Sequence, residues 1–136
     1  MADKTRRVDY YYVTVPDRPG EGKRVLSALK ESNVNLLAYL GFPSGRGKSQ
    51  LDLIPEDAGA LKKAARKAGI QLSDARKAFL IQGDDRAGAV ADAVAKLADA
   101  SVNVTAAAAT CAAGKYGLVI WVRPADYGRA ARALGA

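Results

Sequence analysis

The chain repeats itself, and no other feature limits so strongly what it can fold into. A shift of 68 residues places Asp17, Arg18 and Gly20 over Asp85, Arg86 and Gly88. The same shift places Leu29 over Leu97, and Val34 and Asn35 over Val102 and Asn103. Past the middle of each half a shift of 69 sets Pro55, Asp57 and Gly59 over Pro124, Asp126 and Gly128, as a one-residue insertion in a hairpin would produce. Two units are therefore expected, residues 1–75 and residues 76–136, each at the small end of what can bury its own core.

Each half reads as the same string of elements. Val8 to Val15 alternates and is rich in β-branched and aromatic residues, which predicts a half-buried strand with Tyr11, Val13 and Val15 on one face. Pro16 to Gly22 reads as a turn, and Val25, Leu26 and Leu29 then recur at helical spacing as far as Ser32 and Asn33. Val34 to Phe42 and Ser49 to Ile54 read as strands joined through Pro43 to Gly47. Asp57 is placed to cap a second helix that stops at Gly69, and Ile70 to Leu72 reads as a short fourth strand. The second half follows with Ala78 to Gln82, Gly88 to Ala100, Val102 to Cys111, Gly117 to Arg123 and Asp126 to Leu134. The order predicts an α+β chain of two ferredoxin-like βαββαβ units, with helices on one face of antiparallel sheets. The second unit is expected to lack its last strand, leaving an edge for a partner to cover.

Composition removes several kinds of chemistry. With no histidine and one cysteine, Cys111, the chain cannot build a Ser/His/Asp or Cys/His nucleophile, a Cys/His zinc site or an internal disulfide. No paired acid and base stands out, so no catalysis, metal or cofactor is expected. No stretch is apolar enough to span a bilayer, and Met1 to Arg7 does not open a secretory signal; a cytoplasmic protein is expected. Most of the net charge of +7 lies in the first half. Lys62, Lys63, Arg66 and Lys67 read as the wet face of an amphipathic helix.

Two motifs fall short. Phe42 to Ser49 has the pattern of a phosphate loop except for Phe42 where glycine is needed. The alternation that follows, Gln50 to Ile54, commits the segment to a hairpin. The element order is also that of the RNA-recognition motif, and Tyr10, Tyr12, Tyr116 and Trp121 supply aromatics, but the glycine-aromatic order of its stacking strand is absent. Under the shift of 69, Gln50 and Asp52 fall over Val119 and Trp121, so the open sheet face is expected to be wet in the first half and covered in the second.

The turn from the first strand into the first helix is the most particular feature of both halves: Asp17, Arg18, Pro19, Gly20, Glu21, Gly22, echoed as Asp84, Asp85, Arg86, Ala87, Gly88. Such a turn presents free helix amides to a small anion. With the leucine-bearing helix after it and Val34, Asn35 and Leu36 opening the second strand, the chain resembles a tandem pair of ACT domains, the small regulatory modules that bind amino acids. The resemblance covers nearly the whole sequence.

The resemblance implies a ligand at the interface between two ACT units. Gly20 and Gly22 would offer amides to its carboxylate, and Asp17 and Asn35 would bind its amino group, with Arg18, Pro19, Glu21 and Leu36 completing the surroundings. Asp85, Gly88 and Asn103 are the counterparts in the second copy, where Ala87, Ala89 and Val90 replace Pro19, Glu21 and Gly22. The function it implies is that of a non-catalytic sensor of an amino acid or similar small carboxylate, homodimeric and able to dock to an enzyme or regulator. The competing expectation is a nucleic-acid-binding module that uses the basic first half and the aromatic sheet face.

Overall fold

In the computed structural model, which describes residues 3–136, the alternating N-terminal stretch is one long strand, β1 (Lys4–Pro16). Met1 and Ala2, which open the charged stretch, lie outside the described residues. There follow α1 (Glu21–Glu31), β2 (Leu36–Gly45), β3 (Lys48–Pro55) and α2 (Ala58–Ala68). The order is then repeated as β4 (Arg76–Asp84), α3 (Ala89–Asp99), β5 (Val104–Ala112), β6 (Lys115–Val122) and, after a 3-10 turn at Pro124–Asp126, α4 (Tyr127–Leu134).

The chain divides into two units, and the division falls inside β1: residues 9–76 form one, while the residues up to Val8 group with residues 77–136. In the first unit the strand order is β2, β3, β1, antiparallel throughout. Tyr11, Val13 and Val15 share a face with Leu51 and Leu53, and that face packs on Val25 and Leu29 of α1 and on Leu61, Ala64 and Ala65 of α2. The second unit has the order β4, β6, β5, with the residues of β1 up to Val8 beside β4. Its core sets Phe79, Ile81, Leu118 and Ile120 against Ala89, Ala93 and Leu97 of α3 and Ala130, Ala131 and Leu134 of α4. Each large apolar side chain so buried contributes about 1.5–3 kcal/mol. Both helices thus lie on one face of an antiparallel sheet in each unit, and no strand follows α4 among the described residues.

The four α-helices among the described residues stop in the same way. After α1, Asn33 (φ 57°) turns left-handed, its N–H donates to the Lys30 carbonyl, and the Val34 N–H reaches back to the Leu29 carbonyl. Ser101 and Val102 repeat this on Ala98 and Leu97; Gly69 and Ile70 do so on Arg66 and Ala65, and Gly135 and Ala136 on Arg132 and Ala131. This is the Schellman stop, in which the residue after the left-handed one packs on the last turn. The repeated Leu29/Val34 and Leu97/Val102 pairs are its hydrophobic half.

Three expectations about the strands are corrected. Ile70 to Leu72 forms no strand. Ile70 is buried as part of the α2 stop, and the following segment hydrogen-bonds to β1 at Tyr12: the Ser73 N–H donates to the Tyr12 carbonyl, and the Tyr12 N–H donates to Ser73 Oγ, both at 2.9 Å. A hydroxyl standing in for a carbonyl closes that ring without starting a ladder. Pro43, Ser44 and Gly45 belong to β2, and the hairpin loop shrinks to Arg46 and Gly47, both left-handed (φ 56° and 71°), echoed by Ala113 and Gly114 (52° and 76°). Two left-handed residues match the natural twist of a hairpin, and a proline is tolerated on β2 because it is an edge strand. The repeat shift is also 67 at this point: Lys48 and Lys115 both open their strands, so Asp52 corresponds to Val119 and Ile54 to Trp121. The 3-10 turn at Pro124–Asp126 lengthens the second copy and restores the shift of 69 at its last helix.

The expected contrast between a wet and a covered sheet face is absent. Asp52 (6 % exposed) and Ile54 (1 %) are as buried as Val119 (8 %) and Trp121 (6 %). Asp52 accepts a hydrogen bond from Gln50 Nε2 at 2.8 Å, and burial pushes its carboxyl above the ordinary range. A carboxyl raised on folding binds more protons in the native state, so its contribution to stability is full below the unfolded value and is lost as pH rises through the folded one. Asp52→Asn keeps the acceptor for Gln50 and removes the charge. It is expected to stabilise the protein at pH 7 by about 1 kcal/mol and to flatten the fall in melting temperature between pH 4 and 7. Thermal melts of both proteins across that range are the check.

Candidate functional site

The loop between β1 and α1 is tied twice at its first residue. The Asp17 N–H donates to the Gly47 carbonyl at 2.9 Å, and the Asp17 carboxylate accepts from Ser49 Oγ at 2.9 Å, which fixes the loop against the β2–β3 hairpin. Gly20 then takes a left-handed conformation (φ 94°) as the residue before α1. No side chain caps α1, whereas Asp57 caps α2 by accepting from the Ala60 N–H. Glu21 opens the helix and accepts from Arg18 Nε (3.2 Å) and from Arg24. The Arg18 guanidinium, with Arg24 beside it, holds the Glu21 carboxyl below its ordinary range. Arg18 is thus engaged locally.

Beside this loop lies a cleft of about 350 Å³, walled by Asp17, Arg18, Glu21 and Gly22 on one side and by Tyr39, Phe42 and Ser49 on the other. Sequence reasoning missed the second wall. Its signal was the antiparallel register, which sets Ser49 opposite both Val15 and Pro43 and so brings the strand before the loop to the hairpin. Tyr39 is 44 % exposed, and a Cβ on Gly22 or Gly41 would come within 3.6 or 3.3 Å of its hydroxyl. Only at Gly41 would that contact be tight; at Gly22 it is ordinary packing.

Asn35 and Leu36 lie elsewhere in the unit. They border a separate cleft of about 340 Å³ with Leu26, Leu29 and Lys30, past the other end of α1. Eleven helical residues set the two ends about 16 Å apart. The Asn35 side chain donates to Glu56 Oε2 at 2.9 Å, and the Asn35 carbonyl accepts from the Glu56 N–H. Pro19 and Gly20 stand exposed at the tip of the loop.

The second copy keeps the backbone of the loop. The Asp85 N–H donates to the Gly114 carbonyl at 2.9 Å, Gly88 is left-handed (φ 85°) before α3, and α3 also lacks a side-chain cap. Asn103 is exposed ahead of β5. Asp85, followed by burial, pushes the exposed Cys111 thiol above its ordinary value, which makes it a poor nucleophile. No group of acidic, histidine or cysteine side chains suited to a metal ion occurs among the described residues, and no helix there is long and apolar enough to cross a membrane. Of the aromatics that a nucleic-acid module would stack on, Tyr116 and Trp121 are buried, Tyr10 and Tyr12 are half-buried, and Arg76 lies over the Tyr12 ring at 5.3 Å.

No family model matches the chain, and no curated protein matches it. Solved structures do. A protein from Bacteroides thetaiotaomicron superposes with a TM-score of 0.82 at 18 % identity, over 96 % of this chain and 88 % of that one. The regulatory subunit of aspartate kinase from Thermus thermophilus, in a ligand-free form, superposes with a TM-score of 0.66 at 16 % identity, over 98 % and 94 %. The same subunit from Thermus flavus gives 0.61 at 19 % identity, over 98 % and 94 %. The fold is therefore the one shared with these aspartate kinase regulatory subunits.

Proposed function

We propose that this chain is a non-catalytic regulatory protein that binds an amino acid or a similar small carboxylate. The observation that carries the reading is the cleft beside Gly20, where a left-handed glycine leads into an uncapped helix and a polar wall faces an aromatic one. Helix amides favour the ligand's carboxylate, and the Asp17 carboxylate favours its ammonium group. Tyr39 and Phe42 face the ligand's side chain. A second copy of the chain completes the site, its Asn35 and Leu36 closing over the loop of the first, so that binding favours the dimer. Output passes to an enzyme or regulator docked to that dimer in the cytoplasm, and no cofactor takes part. The regulatory subunits of aspartate kinase with the same fold support this reading, since one is described in a ligand-free form.

Calorimetric titration with the twenty common amino acids tests it. One of them is expected to bind, to raise the melting temperature and to shift the sedimentation profile towards dimer. Silence from every amino acid and from other small carboxylates would overturn the proposal.

A further inference from the structure

The two repeats use their loop arginine differently. Arg18 turns to Glu21 on its own helix, whereas Arg86 reaches to the far end of the sequence. Its Nη1 and Nη2 donate to the two carboxylate oxygens of Asp3, each at 3.1 Å. The same guanidinium also donates to the Asp84 carbonyl and to Asp92 Oδ2, each at 3.3 Å, and lies 5.9 Å from the centre of the Tyr116 ring. A two-point grip of this kind is the geometry by which arginine recognises a carboxylate.

The surroundings are shaped to that carboxylate. A Cβ on Gly83 would fall 2.1 Å from Asp3 Oδ1 and 3.1 Å from the Tyr116 ring, so the seat exists only because residue 83 has no side chain. Tyr116 is 4 % exposed, and the Arg86 guanidinium holds the Asp3 carboxyl below its ordinary range. A cleft of about 330 Å³ opens alongside, bordered by Arg86, Asp92 and Lys96 over an apolar floor that includes Ile81. Side chains that merely met at a surface would need neither the glycine seat nor the buried phenol.

We infer that Arg86, Tyr116 and Gly83 form a carboxylate-binding site in the second unit, occupied in cis by Asp3 and open to a small free carboxylate once Asp3 is gone. The two guanidinium N–H groups fix both oxygens, the Gly83 seat limits the ligand to an unbranched carboxylate end, and the cleft takes its tail. Asp3 immediately precedes β1, so the chain's own segment leading into that strand competes with the ligand. The site stands on the opposite repeat from the Gly20 cleft and does not depend on the function proposed for it.

The test compares the native chain, Asp3→Ala, and Asp3→Ala combined with Gly83→Ala, melted at pH 7 in 100 mM sodium acetate and in 100 mM sodium chloride. Acetate is expected to raise the melting temperature of Asp3→Ala by about 3 °C over chloride, and to leave the native chain and the double variant at their chloride values. The methyl group that Gly83→Ala introduces takes the place of the oxygen, so the double variant loses the seat. Acetate taken up near Gly20 acts on all three proteins alike and cancels. The Nε–H resonance of Arg86 gives a second reading: it should move and saturate on acetate addition in Asp3→Ala only. No acetate effect in Asp3→Ala, or one of equal size in all three proteins, overturns the inference.

Discussion

Phe79→Ala is expected to lower the free energy of unfolding by about 3–5 kcal/mol, the largest stability loss anticipated from a single truncation in this chain. Phe79 is fully buried on β4, and its ring stacks on Tyr127 of α4, with centroids 4.4 Å apart and planes 9° from parallel. Tyr127 is held in turn by a buried hydrogen bond from its hydroxyl to the Ala78 carbonyl at 3.0 Å. Truncation therefore removes the ring, opens a cavity and frees the partner that orients α4 on the sheet. Phe79→Leu, which keeps most of the volume, should cost about 1.5 kcal/mol or less. Urea titration followed by circular dichroism checks both, and an alanine midpoint close to the native one would show that α4 does not depend on the stack.

Gly20→Ala is expected to weaken ligand binding at least tenfold, while Gly88→Ala leaves it intact. The pair is informative because its stability cost is matched. Both glycines are left-handed, and a Cβ at either would meet nothing within 4 Å, so each alanine costs about 1 kcal/mol of backbone strain and no more. At Gly20 the added methyl stands just ahead of the uncapped start of α1, whose amides the proposed ligand needs. At Gly88 the loop continues into Ala89 and Val90, without the counterparts of Glu21 and Gly22. Titration of both variants with the amino acid that binds the native chain decides the matter. Loss of binding in Gly88→Ala alone would move the site to the second repeat.

Much of this was legible in the sequence because it rests on local rules. The glycines at 20 and 88 mark left-handed turns ahead of helices, the alternation of β1 marks its buried face, and Leu61, Ala64 and Ala65 mark the buried stripe of α2. The basic residues opposite that stripe, Lys62, Lys63, Arg66 and Lys67, are all exposed. Where the reading failed, two physical rules competed for the same residues. Pro43, Ser44 and Gly45 have the composition of a loop, but an edge strand tolerates them and the hairpin closes on Arg46 and Gly47. Ile70 is apolar because it completes a helix stop, and the pattern that suggested a strand was the pattern of that stop.

The candidate site was half legible. Asp17 to Gly22 could be read from turn chemistry, which depends on neighbours in the chain. Tyr39, Phe42 and Ser49 could not, since they meet the loop only through the pairing of β3 with β1 and β2. Asn35, echoed by Asn103, follows the helix stop and holds Glu56 at the far end of α1, so only a second copy of the chain could bring an Asn35 to the loop, as proposed above.

By itself the sequence determined the repeat, the strand-helix-strand-strand-helix order common to both halves, the apolar faces of β1 and α2 and the left-handed glycine ahead of α1 and α3, because periodicity and backbone preference act over a few residues. The tertiary structure alone decided where the units divide within β1, that Asp52 is buried, and that Asp3 lies in the grip of Arg86. Those outcomes depend on which distant strands pair and on what then fills the space beside them. A glycine at position 83 says nothing in particular until a carboxylate from the other end of the chain is laid against it.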